Sequence, residues 1–408
     1  MKNTYNTSVL NSIVIVAALG YFVDIYDLVL FSIVRVSSLK SLGFSGAALL
    51  DHGVFLINMQ MFGMLIGGIL WGVLGDKKGR LSVLFGSILL YSVANIANAF
   101  VHTIPAYAFW RTLAGIGLAG ELGAGITLVA ETLPKEKRGY GTMLVAAVGV
   151  SGAIFAGLIA KYFSWRTNFI IGGGLGLSLL VLRISMYESG LFKRSVKSNI
   201  SRGNFFKLFT KRDLFFKYLK CILIGMPNWF VIGILITFSP ELAQALGTTG
   251  PVHAATAIMV SYAGLVVGDV ASGVISQLLA SRKKTMLLFL LGSSAMVALN
   301  MVVFGLTPQL YYVLCFMLGL SCGYWAIFVT IAAEQFGTNL RATVATTVPN
   351  FVRGALVPIS LAFMALKPSL GVVHAAAWVG GICLVIALCA AVYLEETHGK
   401  DLDYFEVI

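Results

Sequence analysis

Gly72-Val73-Leu74-Gly75-Asp76-Lys77-Lys78-Gly79-Arg80 is a short charged turn between two apolar segments, roughly 53–74 and 81–101. Each segment is long enough to cross a bilayer as a helix. A turn this tight lies at the membrane surface, and Lys77, Lys78 and Arg80 put it on the cytoplasmic side. The whole chain has the same character. Its 408 residues are 58% hydrophobic and 11% charged, with 44 glycines. A soluble protein carries about twice that charge fraction, so a large soluble core is excluded.

Apolar segments recur at about 11–36, 53–74, 81–101, 106–131, 141–162, 167–187, 218–240, 253–279, 285–305, 309–333, 343–366 and 371–394. That predicts an all-α polytopic membrane protein with twelve spans. The first is read as a retained helix rather than a cleaved signal, because it runs on past Asp24 and Asp27. With the N-terminus inside, 22 of the 29 Lys and Arg residues fall in or beside cytoplasmic segments. Five fall near the outer face (Arg35, Lys40, Lys161, Arg166 and Lys367), and Arg111 and Arg353 are left inside spans. The inverted orientation would place most of the positive charge outside, so both termini are expected to be cytoplasmic.

The net charge of +12 does not point to nucleic acid, because the cations sit in short loops between spans. The five cysteines, Cys221, Cys315, Cys322, Cys383 and Cys389, fall in apolar spans without metal-ligand spacing. They read as packing residues, and no cofactor or metal is expected.

The one long polar connection, 188–217, divides the chain. The expected organisation is an N-terminal six-helix bundle (1–187), a cytoplasmic linker (188–217), and a C-terminal bundle with a cytoplasmic tail (218–408). A faint repeat supports the division. Glu131 is followed seven residues later by Arg138 after the fourth span, and Glu334 by Arg341 after the tenth.

The charged turn resembles the signature loop of the major facilitator superfamily, a glycine-rich stretch with Asp and Arg between the second and third helices. Further motifs agree. Arg111-Thr-Leu-Ala-Gly115-Ile-Gly117 is similar to the motif in which a buried Arg serves proton coupling. Ala119-Gly120-Glu121, then Glu131-x-x-Pro134-x-x-x-Arg138-Gly139, resembles metabolite–proton symporters and their sugar-porter and aromatic-acid relatives. So do Asp24-Ile-Tyr26-Asp27-Leu28 and the tail Glu396-Thr397-His398-Gly399-Lys400-Asp401-Leu402. The resemblance implies two pseudo-symmetric six-helix bundles with a substrate site between them near the midplane. It also implies that Asp76, Arg80, Glu131, Arg138, Glu334 and Arg341 form a cytoplasmic gate. Two departures matter. Span seven reads Ile224-Gly-Met-Pro227-Asn228-Trp229 and lacks the paired glutamines of sugar porters. Span five lacks the Gly-Pro pair of drug exporters.

A charge inside a span costs roughly 2.5–3.5 kcal/mol on insertion scales, so it marks a pathway or a paired partner. Six are read this way: Asp24, Asp27, Arg111, Glu121, Asp269 and Arg353. Asp24 and Asp27 share a helix face. At 1.5 Å per residue, Asp27 lies about 13 Å and Arg111 about 8 Å below the outer end of their spans, within pairing reach. Asp24 and Glu121 lie at about 18 and 22 Å. Acids side by side in low dielectric repel, and a carboxyl that binds and releases a proton as access alternates is what a symporter needs. Asp24, Asp27, Arg111 and Glu121 are therefore the proton-coupling candidates. Arg353 either bridges to Asp269 or faces the cavity and holds a substrate carboxylate with its fork. Arg111, Arg353, Asn228, Trp229, Tyr324 and Trp325 are the substrate-binding candidates.

The leading expectation is a monomeric secondary transporter of a bacterial inner membrane, with a small-molecule substrate, protons and lipid as its partners. It would import a small organic acid or zwitterion with protons. Uptake of a polyol, a sugar or a citrate-type siderophore is the alternative, and export ranks lower. A membrane-embedded enzyme is disfavoured, because no nucleophile–base pair, metal cluster or phosphate loop is seen. A non-transporting sensor would have no need of buried acids.

Overall fold

The computed structural model describes residues 12–78, 80–121, 123, 138–188, 205–399 and 406. The first half supplies α1 (Ser12–Ser41), α2 (Ala47–Lys78), α3 (Arg80–Asn98), α4 (Ile104–Leu118), α5 (Arg138–Tyr162) and α6 (Trp165–Glu188). The second half opens with a 3-10 turn, Phe205–Phe209, and α7 (Arg212–Phe230), which continues as a π-helix over Val231–Ile236. A short α8 (Ser239–Ala245) precedes α9 (Ala254–Leu278) and α10 (Arg282–Val302). Then come α11 (Pro308–Ser321), α12 (Trp325–Glu334), α13 (Thr338–Gly354) and α14 (Leu356–Val392). Among the described residues, nine stretches are long and apolar enough to cross a membrane, one of them the double-length Thr343–Val392. Gly371 divides that stretch into two crossings, α13 with the start of α14 and the rest of α14; its φ of 73° lies in the left-handed region that glycine enters without a Cβ penalty. With α3 and α4 the total is twelve crossings in two six-helix bundles.

The two halves fold by the same local rules. Thr103 caps α4 and Thr307 caps α11, each accepting a backbone N–H at 3.4 Å, with Pro105 and Pro308 in the first turn. Spans four and ten then break at matching points, Ala119–Gly120 and Cys322–Tyr324. Backbones touch at equivalent crossings. A Cβ on Gly115 would overlap the Gln60 carbonyl of α2, and one on Gly319 the Ser261 carbonyl of α9. Small residues allow this close approach, which drives helix association where lipid offers no hydrophobic gain. Apolar side chains such as Val181, Leu278, Val302 and Trp378 face outward as a lipid belt. Four of the cysteines are buried packing residues; Cys389 is on the exposed surface.

Several element boundaries differ from the sequence expectation: α1 runs on to Ser41 rather than about 36, and α2 begins at Ala47 rather than about 53. Span seven begins at Arg212 rather than near 218, and Phe205 and Leu208 just before it are buried. The Phe205 ring lies 5.9 Å from Phe351 and 6.4 Å from Tyr218. The phenylalanines among the lysines of this stretch pull its end into the bundle; residues 189–204 lie outside the described region.

The halves meet along α2 and α13, where Gly68 lies against Asn350, whose amide donates to the Ala119 carbonyl at the end of α4 at 2.8 Å, and along α5 and α9, where Gly157 faces Met259. At the end opposite the termini they are joined by polar links. Arg35 reaches Glu241 at 2.7 Å, Lys367 reaches Asp51 at 2.7 Å, and Ser360 donates to Asn58 at 2.6 Å.

Candidate substrate and proton site

A cavity of ≈ 30 Å³ lies between the halves. That is room for about two waters. Tyr21, Ile25, Leu28 and Val150 line it from the first half; Asn228, Trp229, Tyr262, Trp325 and Arg353 face it from the second. The π-helix contributes Ile232. A π turn fits one extra residue into the helical turn, and here Thr237 N–H bonds the Ile232 carbonyl five residues back at 3.1 Å.

Arg353 is 1% exposed and is the one charged residue on the wall among those described. Its Nη2 lies 3.7 Å from Oδ2 of Asp24 in the opposite half, a residue that is not itself on the wall. That is ion-pair distance, too long for a hydrogen bond. Neither Asp24 oxygen has a protein hydrogen-bond partner, nor do Nε and Nη1 of Arg353. The guanidinium carbon sits 5.9 Å from the Trp325 ring centroid. Asn228 is 2% exposed, and both its amide atoms lack a protein partner. The site thus presents a cation with spare donors, an amide with both functions free, and aromatic walls.

Arg353 does not bridge to Asp269, the first alternative drawn from the sequence. Asp269 instead accepts from the Ala326 backbone N–H at 3.1 Å, capping the helix that restarts after the break in span ten. The exposed N–H groups of that restart attract the carboxylate. The direct Arg111–Asp27 pair is also replaced. Arg111 donates to Asn95 Oδ1 at 2.5 Å and Gln60 Oε1 at 3.3 Å, and lies 4.9 Å from the Phe169 ring centroid. Gln60 in turn donates to the Leu28 carbonyl at 3.0 Å, which fixes its oxygen toward Arg111. Two amides of α2 and α3 therefore reach the guanidinium. Asp27 is fully buried against Gly172 of α6, with neither oxygen hydrogen-bonded to protein.

Glu121 forms a two-pronged ion pair with Arg183 of α6, one arm at 3.0 Å. Both are buried. Arg183 counts with the cytoplasmic cations in the sequence, yet it reaches back into the bundle. Arg35, counted as an outer-face cation, is fully buried as well. Tyr324 is buried off the cavity and donates to the Ile224 carbonyl at 3.3 Å. Of the gate candidates, Glu334 accepts from Thr397 at 2.7 Å and pairs with Arg282 at 3.6 Å, both in its own half. Arg341 lies in the first turn of α13. The side chains of Asp76, Arg80 and Arg138, and all of Glu131, lie outside the described residues.

The family profile described as Major Facilitator Superfamily matches residues 17–355. The chain belongs to the major facilitator superfamily. It is an integral membrane transporter for a small molecule. A Haemophilus influenzae protein assigned as a metabolite transport protein is 29% identical over 95% of this chain and 96% of its own. A Bacillus subtilis protein assigned as a niacin/nicotinamide transporter, NiaP, is 24% identical over the same shares. The structure of the superfamily proton:xylose symporter XylE, solved with 6-bromo-6-deoxy-D-glucose, superposes with a TM-score of 0.71, covering 98% of both chains at 17% identity. At that identity the likeness speaks for the fold.

Proposed function

We propose that this transporter imports a small organic acid or zwitterion together with protons, by alternating access, across a bacterial inner membrane with both termini cytoplasmic. The observation that carries the reading is the Asp24–Arg353 contact at 3.7 Å, which joins the two halves at the cavity wall. Without substrate, Asp24 neutralises Arg353. An entering carboxylate takes the free donors of the guanidinium, which suit a two-pronged acceptor. Asp24 is then a buried carboxylate without its cation, and binding a proton relieves that cost. Substrate and proton thus occupy the site together. Asp27, fully buried three residues on, is the second carrier candidate; Glu121 is already held by Arg183.

A single cation on the wall weighs against a citrate-type ligand, whose several carboxylates would lack counter-charges, and against an uncharged polyol, which would leave the buried Arg353 unused. The test is uptake of labelled organic acids into proteoliposomes under an inward proton gradient. Accumulation that requires both the gradient and Arg353 supports the reading. A neutral polyol accumulating where no acid does would refute it.

A further inference from the structure

The organic-acid reading leaves the substrate's shape open, and the walls of the cavity bear on it. Four aromatic rings, Tyr21, Trp229, Tyr262 and Trp325, face the space from α1, α7, α9 and α12. Among the described residues, one cation, Arg353, and one amide, Asn228, accompany them on the wall. Three consequences follow. A single cation already shared with Asp24 balances one negative charge, so a second carboxylate would be buried unpaired. Among the described residues no carboxylate lines the space, and Asp24, once displaced from Arg353, is neutralised by the proton it takes up, so a ligand ammonium would find only aromatic faces. The narrow space must widen on binding. A flat ring asks for the smallest opening, about 7 Å between opposing carbon walls, while stacking on aromatic side chains. Because the four rings belong to both halves, a small separation of the bundles supplies that opening.

We propose that the central slot takes a planar aromatic monocarboxylate, its carboxylate replacing Asp24 on Arg353, its ring lying among Tyr21, Trp229, Tyr262 and Trp325, and a polar ring atom or substituent hydrogen-bonded to Asn228. Asn228 is then a specificity residue. Its buried, unpartnered amide offers a donor to a ring nitrogen or an acceptor to a ring hydroxyl, and a ring with neither leaves the amide unpaired.

This inference rests on the organic-acid reading and is tested apart from it. Full-length protein in nanodiscs is titrated calorimetrically with benzoate, nicotinate, cyclohexanecarboxylate, phthalate, glycine betaine and benzamide. Benzoate should bind about fivefold more tightly than cyclohexanecarboxylate, which has the same charge and a puckered ring. Nicotinate should exceed benzoate by about fivefold, and that ratio should collapse toward one in Asn228→Leu. The ligand-free melting temperature of the variant confirms that it folds. Phthalate, betaine and benzamide should all be weaker than benzoate. If cyclohexanecarboxylate or betaine binds as well as the aromatic acids, the aromatic inference is overturned. The organic-acid reading then survives provided Arg353→Lys still weakens that ligand. If neither aromatic acid binds, the inference is likewise wrong, and if no acid binds, the wider reading falls with it.

Discussion

Glu121 and Arg183 put a complete ion pair inside the first bundle, where either charge alone would be costly. Removing one partner strands the other. Glu121→Gln or Arg183→Leu should each destabilise the protein by about 3–5 kcal/mol, whereas the double variant should recover most of that loss. Thermal unfolding of the three proteins decides it, and a double variant as unstable as the sum of the singles contradicts the pairing. Asp269 is a helix cap in this structure. Asp269→Ala should cost about 1 kcal/mol of stability and Asp269→Asn less, since the amide oxygen can still accept from Ala326. If Asn is as damaging as Ala, the carboxylate has another task. The six mid-span charges were legible as functional or paired because burial of a charge is so costly, but their partners were not. The amides that satisfy Arg111 come from Gln60 and Asn95, on separate helices, and nothing in the sequence marks them as neighbours. Arg183 was missed because its place near a span's end admits both a snorkelled and an inward side chain.

Among the elements, α1 and α8 make the firmest link at the end opposite the termini. Arg35 holds Glu241 at 2.7 Å, the Leu49 carbonyl at 3.0 Å and the Phe238 ring at 4.5 Å. Opening that end requires breaking this set. Arg35→Ala should therefore raise labelling of a cysteine placed at Ile232 by an impermeant thiol reagent in intact cells, while unchanged labelling would show that the link does not gate. At the other end, Glu396 caps α10. Burial pushes its carboxyl up, but the Ser281 hydroxyl and the backbone N–H groups of His398, Arg282 and Lys283 outweigh that and hold it down at about 2, against 4.5 for the free group. Its stabilising effect is complete above about 4.5 and lost as pH falls through about 2. Glu396→Gln should thus flatten the fall in melting temperature across that window, and an unaltered profile would dismiss the cap. The breaks in spans four and ten were invisible to hydropathy, because Ala119-Gly120 and Cys322-Gly323-Tyr324 are as apolar as the helices they interrupt.

At the scale of the whole molecule, the twelve crossings were readable from hydrophobic run length and the distribution of Lys and Arg, both direct consequences of the bilayer. The faint Glu-to-Arg repeat pointed to the duplication, and spans four and ten carry matching caps and breaks. What the sequence could not supply was contact between halves. Asp24 and Arg353 are far apart in the chain and meet only because the bundles close on one another. On the proposed mechanism, that meeting is central: the carboxylate that neutralises the empty site becomes the proton carrier when substrate arrives. The most direct measurement compares Asp24→Asn with the unaltered protein in proteoliposomes loaded with an aromatic monocarboxylate. The account predicts that counterflow exchange persists while accumulation against a gradient under an inward proton gradient is lost. Full accumulation by Asp24→Asn, and by Asp27→Asn beside it, would contradict it.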